Sequence, residues 1–168
     1  MPSIVVGYDF SHTGHAALRR AVELASDEAH TLHVLCVLDH HEPLPSIPAE
    51  DGVDYRYVDR VMRALDVAVR DELRDTAPGL DILFHVHARI GKPAAELVEL
   101  AREVRADLVV VGSHGLTGLE RLLAGSVSAA VMRDAICSVE VVKGEATRGH
   151  ASLPSWRSYG SPTTHRSS

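Results

Sequence analysis

The sequence predicts an α/β fold of Rossmann-like type: a single-domain, doubly wound parallel sheet of five strands with helices on both faces. Two observations predict it. Apolar runs of strand length alternate with longer segments of helical period, the pattern of parallel strands joined by crossover helices. A chain of 168 residues, 45% of them hydrophobic and 24% charged, fits one globular domain large enough to bury a real core.

"SIVVGYD" (3–9) reads as the first strand. The segment that follows has Ser11 as N-cap and places Ala17, Leu18, Ala21, Leu24 and Ala25 on one helical face. "TLHVLCVLD" (31–39) is a second buried strand, and the proline-rich "HHEPLPSIPAEDGVD" after it reads as a long surface loop. A helix from about Tyr55 to Asp75 turns Val58, Val61, Met62, Leu65, Val69 and Leu73 toward a core. "LDILFHVHARI" supplies a third strand, and Pro93 suits the first position of the next helix, which packs through Leu97, Val98 and Ala101. "ADLVVVG" is the fourth strand and "SVEVVKG" the fifth. The body ends near residue 143, and residues 144–168, rich in Ser, Thr, Pro, Gly and Arg without apolar period, read as a flexible polar tail.

Composition excludes several functions. The net charge of −6 becomes more negative in the body, where 14 basic face 22 acidic residues, so a nucleic-acid surface is not expected. No apolar run is long enough for membrane insertion, and "MPSIVVGYDF" lacks the pattern of a signal peptide, so a cytoplasmic protein is expected. Cys36 and Cys137 lie in apolar stretches and are expected as buried, reduced thiols.

In a doubly wound sheet ligands lie beyond the carboxyl ends of the strands, where the winding reverses. Two places qualify: "GYDFS" after the first strand and "GSHG" after the fourth. Glycines after a parallel strand expose backbone N–H groups, and a helix beginning just beyond adds the positive end of its dipole, which together suit phosphate. Gly112, Gly115, Gly125 and Ser126 occupy the turning points, and Ser126 and Ser128 can cap the following helix. The spacing, G-x2-G-x9-G-S, is neither a P-loop nor the G-x-G-x-x-G dinucleotide fingerprint.

With "YDFS", "LCVLD", "GKP", the loop "GSHGLTGLERLLAGSVS" and the closing valine strand, the chain from Ser3 to about Lys143 resembles the ATP-binding branch of the universal stress protein family. The resemblance implies an adenine nucleotide alpha hydrolase-like fold and a nucleotide-responsive regulator of the stress response that binds ATP with Mg2+. It implies that Asp9 stands near ribose and phosphates, where it would meet the Mg2+ of Mg-ATP, and that the Val37 backbone pairs with the adenine edge. Val111, Gly112 and Gly115 would flank ribose and α-phosphate, and Gly125, Ser126, Val127 and Ser128 would cradle the terminal phosphates. Tyr8 stands where a smaller residue is common and is expected to narrow the base or ribose pocket. The fifth strand, paired across a two-fold axis through Val139 and Val141, would make a homodimer. An unidentified protein partner would read the nucleotide state, with occupancy ordering residues 112–128.

The competing reading is a slow ATPase or nucleotide-dependent transferase, with His114 as a base on water and Arg121 as a phosphate clamp. Against it, His114 also suits a turn, Arg121 also suits solvent, and no lysine cradle or paired carboxylates are evident. Among eleven histidines, His40 and His41 adjoin an acidic loop, and His85 and His87 share one face of a strand without a third ligand at recognisable spacing.

Overall fold

The computed structural model describes residues 1–38, 55–113 and 126–144. Their order is β1 (Ser3–Gly7), α1 (His12–Asp27), β2 (Thr31–Leu38), α2 (Tyr55–Thr76), β3 (Phe84–Ile90), α3 (Pro93–Glu103), β4 (Leu108–Gly112), α4 (Ser126–Asp134) and β5 (Ser138–Val142). All pairings are parallel, and the sheet order is β3-β2-β1-β4-β5. The five-stranded, doubly wound sheet expected from the alternating pattern is therefore present. Winding runs outward from β1 through β2 to β3, then restarts on the other side of β1 with β4 and β5.

Each face of the sheet has its own core, because successive strand residues point to opposite sides. Ile4 and Val6 of β1, with Leu32, Val34 and Cys36 of β2, pack beneath α1 and α2. Val5, Leu35, Val109 and Val111 pack beneath α3 and α4. The central strand is covered on both sides, which is why it reads as an unbroken apolar run. The edge strand β3 alternates instead: Phe84, Val86, Ala88 and Ile90 turn toward α2, whereas His85, His87 and Arg89 take the other face.

Local signals explain the helix starts. The Ser11 hydroxyl accepts the Gly14 N–H at 3.0 Å and caps α1, as expected. Pro93 opens α3, where its missing N–H costs nothing. The buried face of α1 also includes Val22, fully inaccessible, while Leu24 lies at the rim.

Three expectations are corrected. The first strand ends at Gly7, not residue 9, because Phe10 adopts φ 61° and turns the chain into α1. The third strand begins at Phe84, not Leu80, since pairing starts opposite Leu32; Leu80 and Leu83 are 54% and 53% exposed. Cys36 is buried, but Cys137 is only half-buried, because it lies between the end of α4 and the edge strand β5; neither is in a disulfide. The proline-rich loop and the polar tail beyond Gly144 fall outside the described residues.

Helix α2 provides a direct check of this packing. Leu65 is fully buried and Val67 is 57% exposed. Leu65→Ala is expected to lower the unfolding free energy by about 2–5 kcal/mol, and Val67→Ala by no more than about 0.5 kcal/mol. Equal losses in urea denaturation would mean that α2 is rotated from this orientation.

Candidate functional site

The order β3-β2-β1-β4-β5 puts the reversal of winding between β1 and β4, and a cavity of ≈ 130 Å³ opens there at the carboxyl ends of the strands. Its walls come from Gly7, Tyr8 and Asp9 at the end of β1, Leu35 and Val37 of β2, Val111 and Gly112 of β4, Thr13 and Gly14 of α1, Pro93 and Leu97 of α3, and Val127 of α4. Most of this lining is apolar, with Asp9 as its carboxylate.

Backbone pairing leaves one edge facing the cavity. The last rung between β1 and β2 is the Tyr8 N–H donating to the Leu35 carbonyl at 2.9 Å. Leu32 and Leu38 bond on the β3 side, through the Leu83 carbonyl and the Gly91 N–H, so by the period of two His33, Leu35 and Val37 direct their backbone groups toward β1. Beyond Tyr8 the chain leaves the sheet, and at Val37 that edge of β2 borders the cavity.

The cavity depends on three glycines. A Cβ on Gly7 would stand 3.2 Å from both Leu97 and Val111, inside the lining. A Cβ on Gly112 would lie 2.8 Å from Thr13 Cβ and 2.9 Å from the Thr13 carbonyl carbon, so glycine here lets the start of α1 press against the end of β4. A Cβ on Gly14 would meet Asp9 Oδ1 at 2.6 Å. That same Oδ1 accepts the Ser11 N–H at 3.0 Å, so Asp9 is part of the turn that aims α1 at the cavity. The Ser11 and Thr13 hydroxyls are 3.2 Å apart.

The structure thus brings together Tyr8, Asp9, Val37, Val111, Gly112 and Val127. Ser126 is the exposed first residue of α4, and Ser128 is buried within the same first turn, at 1% exposure. Gly115 and Gly125, together with His40, His41, His114 and Arg121, lie outside the described residues. Tyr8 lines the cavity, and its ring has a second set of contacts. Its neighbour Gly7 faces the cavity core, so strand alternation turns the Tyr8 ring onto the α1–α2 face, edge-on to Phe10 and His15 at 4.9 and 5.1 Å. The Tyr8 hydroxyl lies 3.1 Å from the His15 ring nitrogens, and burial followed by the charge of Glu72 pushes the phenol well above its ordinary range. Burial lowers the His15 imidazole. Nearby, the largely buried Glu72 carboxylate accepts from Arg19 Nε at 3.0 Å and Thr76 Oγ1 at 2.7 Å.

Gly7, Thr13, Gly14, Leu35, Pro93 and Leu97 line the cavity without having been singled out as site residues from the sequence. The "GKP" that leads into α3 was the nearest signal for Pro93 and Leu97, and "YDFS" for Thr13 and Gly14. At the edge strand, Val139 and Val141 of β5 are half-buried against the α3–α4 core, while Glu140 turns to the other face and accepts from Arg20 Nε at 2.7 Å.

The chain belongs to the universal stress protein family, whose model matches residues 1–143. It is 31% identical over 140 residues to a universal stress protein of Methanocaldococcus jannaschii, covering 83% of this chain and 81% of that one. Among solved structures, the universal stress protein UspA from Lactobacillus plantarum superposes with a TM-score of 0.67 at 26% identity, covering 84% of this chain and 97% of that one. A universal stress protein in complex with cAMP superposes with a TM-score of 0.61 at 26% identity, covering 86% and 98% respectively. No helix among the described residues is long and apolar enough to cross a membrane, and no group of three or more His, Cys, Asp or Glu side chains among them is placed to hold a metal ion.

The expected pair His85 and His87 does share one face of β3, and His33 of β2 joins it, a contact made only by the register His33↔His85. Burial, then the charges of His33, Arg89 and His85, hold the His87 imidazole at about 4 against an ordinary 6.5, with Glu103 opposing. Burial and His85 lower His33 as well. Between those two values the unfolded chain binds a proton at residue 87 that the folded chain does not, so stability falls as pH drops through that window. The urea midpoint of His87→Gln is expected to fall less than that of the wild type between about pH 7 and about pH 4.5. Parallel declines would show that His87 is not held neutral by the fold.

Proposed function

We propose that this universal stress protein binds ATP, carried with Mg2+, in the cavity between β1 and β4, and that it works as a nucleotide-responsive regulator instead of an efficient enzyme. The observation that carries the reading is the backbone edge of β2 at Val37, bordering a largely apolar cavity at the winding reversal. A residue with both N–H and C=O directed into such a slot suits a purine edge that presents both an acceptor and a donor. The complex of a relative with cAMP supports an adenine nucleotide as the ligand class.

At ≈ 130 Å³ the cavity is smaller than the roughly 300 Å³ at which whole-ligand pockets begin, so it suits the base alone and not the whole nucleotide. Ribose and phosphates then run past Val111 and Gly112 toward the start of α4, with Gly115, Gly125, Ser126, Val127 and Ser128 as the phosphate cradle. The first N–H groups of α4 and its dipole favour negative charge there. Asp9, a hard oxygen donor at the cavity wall, is the residue suited to Mg2+ brought by the phosphates. The acidic body leaves phosphate binding to such local donors, not to bulk charge.

β5 is the edge of the sheet on the β4 side, and an edge strand of this kind invites pairing. We read it, with Val139 and Val141, as the homodimer contact. The regulatory output is a surface near the nucleotide offered to a partner protein, in the cytoplasm.

Nucleotide released from freshly purified, unsupplemented protein is expected to be ATP at near one per chain. Gly7→Ala, which puts a methyl group into the cavity lining against Leu97 and Val111, should weaken calorimetric ATP binding by about fivefold or more, the equivalent of about 1 kcal/mol. A wild-type protein that arrives empty and ignores added ATP, or a variant that binds equally well, would remove ATP from this cavity. Saturating ATP should also slow hydrogen exchange at Val111–Ser113 and in the first turn of α4 in a protein of dimeric mass. Unchanged exchange would end the regulatory reading, and a monomeric mass across micromolar dilution would end the dimer.

A further inference from the structure

The histidine cluster on the sheet supplies none of the nucleotide cavity's lining and has no part in the function proposed above. His33 of β2 and His85 and His87 of β3 occupy one face. Their rings stack, with His33 lying 5.1 Å from His85 at 20° and 5.4 Å from His87 at 27°. His33 Nδ1 stands 3.2 Å from His87 Nε2. Without a metal, this contact is a hydrogen bond in which one neutral ring donates and the other accepts.

The same spacing is that of two ligands on one metal. Two imidazole nitrogens about 2.0–2.1 Å from a tetrahedral Zn2+ stand roughly 3.3 Å from each other. We propose that His33 Nδ1 and His87 Nε2 form a two-ligand chelate for a borderline divalent transition-metal ion, of the Zn2+, Ni2+ or Cu2+ class, with water completing the coordination. Imidazole is the ligand type these ions prefer. Both rings are half-buried and pinned by stacking and by the strand register, so little side-chain freedom remains to be lost on binding.

The exchange balances. The proton shared between the two rings moves to the distal nitrogen of the ring that donated it, giving His33 its Nε2–H tautomer and His87 its Nδ1–H tautomer. Each proximal lone pair then goes to the metal, and no proton is released. Of the charged neighbours on this face, Arg89 and Glu103 pair with each other through both guanidinium nitrogens, which leaves the chelate as the metal-facing group. The bound ion would tie the edge strand β3 to β2 at the level of Leu35, which lies opposite His87 and lines the nucleotide cavity.

The test uses the full, untagged chain titrated calorimetrically with ZnCl2. One Zn2+ per chain is expected, together with a raised melting temperature. His33→Gln and His87→Gln should each weaken binding by about tenfold or more. The His40→Ala/His41→Ala double variant should bind like the wild type, since those histidines lie elsewhere in the sequence. Electron paramagnetic resonance of the wild type loaded with one equivalent of Cu2+ should show two coordinated imidazole nitrogens, a readout that does not depend on any variant folding. The proposal is overturned by a wild type that takes up no Zn2+, by binding that survives both Gln substitutions, by binding lost in the His40/His41 variant, or by fewer than two imidazole nitrogens on Cu2+.

Discussion

The burial of β1 on both faces is the constraint on which the rest of this structure depends. Ile4 and Val6 are sealed under α1 and α2, Val5 under α3 and α4, and the strand is hydrogen-bonded to β2 on one side and β4 on the other. A strand so enclosed must be laid down at the centre, and the chain then winds outward twice, in opposite directions. The two halves diverge at the carboxyl end of β1. That divergence leaves a gap between crossover connections, and the cavity is the gap. Its position follows from topology before any particular side chain is considered.

What turns the gap into a site is the way β1 ends. Phe10, at φ 61°, turns the chain sharply out of the sheet while its side chain stays in the core at 6% exposure. The turn is held by the Asp9 carboxylate on the Ser11 N–H and by the Ser11 hydroxyl on the Gly14 N–H. It drives the first turn of α1 against β4, where the absence of a Cβ on Gly112 accommodates Thr13. Gly112 therefore has a packing role that is independent of any ligand, and Asp9 has a structural one. Both roles are compatible with contact to a nucleotide. They also mean that a change at either position would disturb the fold and the site together.

The polar clusters sort by face. At α1 and α2, Tyr8 bonds with His15, and Glu72 accepts from Arg19 and Thr76, so that burying a phenol and a carboxylate is offset by hydrogen bonds and an ion pair. On the opposite face, three imidazoles stack where the α3–α4 layer gives out toward the β3 edge. Tyr8 connects the first group to the cavity, because its backbone belongs to the cavity wall and its ring to the α1–α2 core.

Much of the fold was legible in the sequence because local rules and tertiary packing agree there. Apolar runs separated by helical periods specified five strands and four helices, Ser11 and Pro93 marked two helix starts, and the position of the site followed from the rule for strand ends. Strand ends were less legible, since pairing at β1 and β3 depends on what the neighbouring strand offers, and a propensity extends past that limit. The sequence by itself determined the α/β class, the placement of Asp9, Val37, Val111 and Gly112 at strand ends, and the family resemblance. Only the tertiary structure decided that the Tyr8 ring joins the α1–α2 core, that Thr13, Gly14, Pro93 and Leu97 complete the cavity, and that His33 meets His87. Each of these depends on strand register or on the approach of one element to another, contacts between residues far apart in sequence that no local pattern encodes.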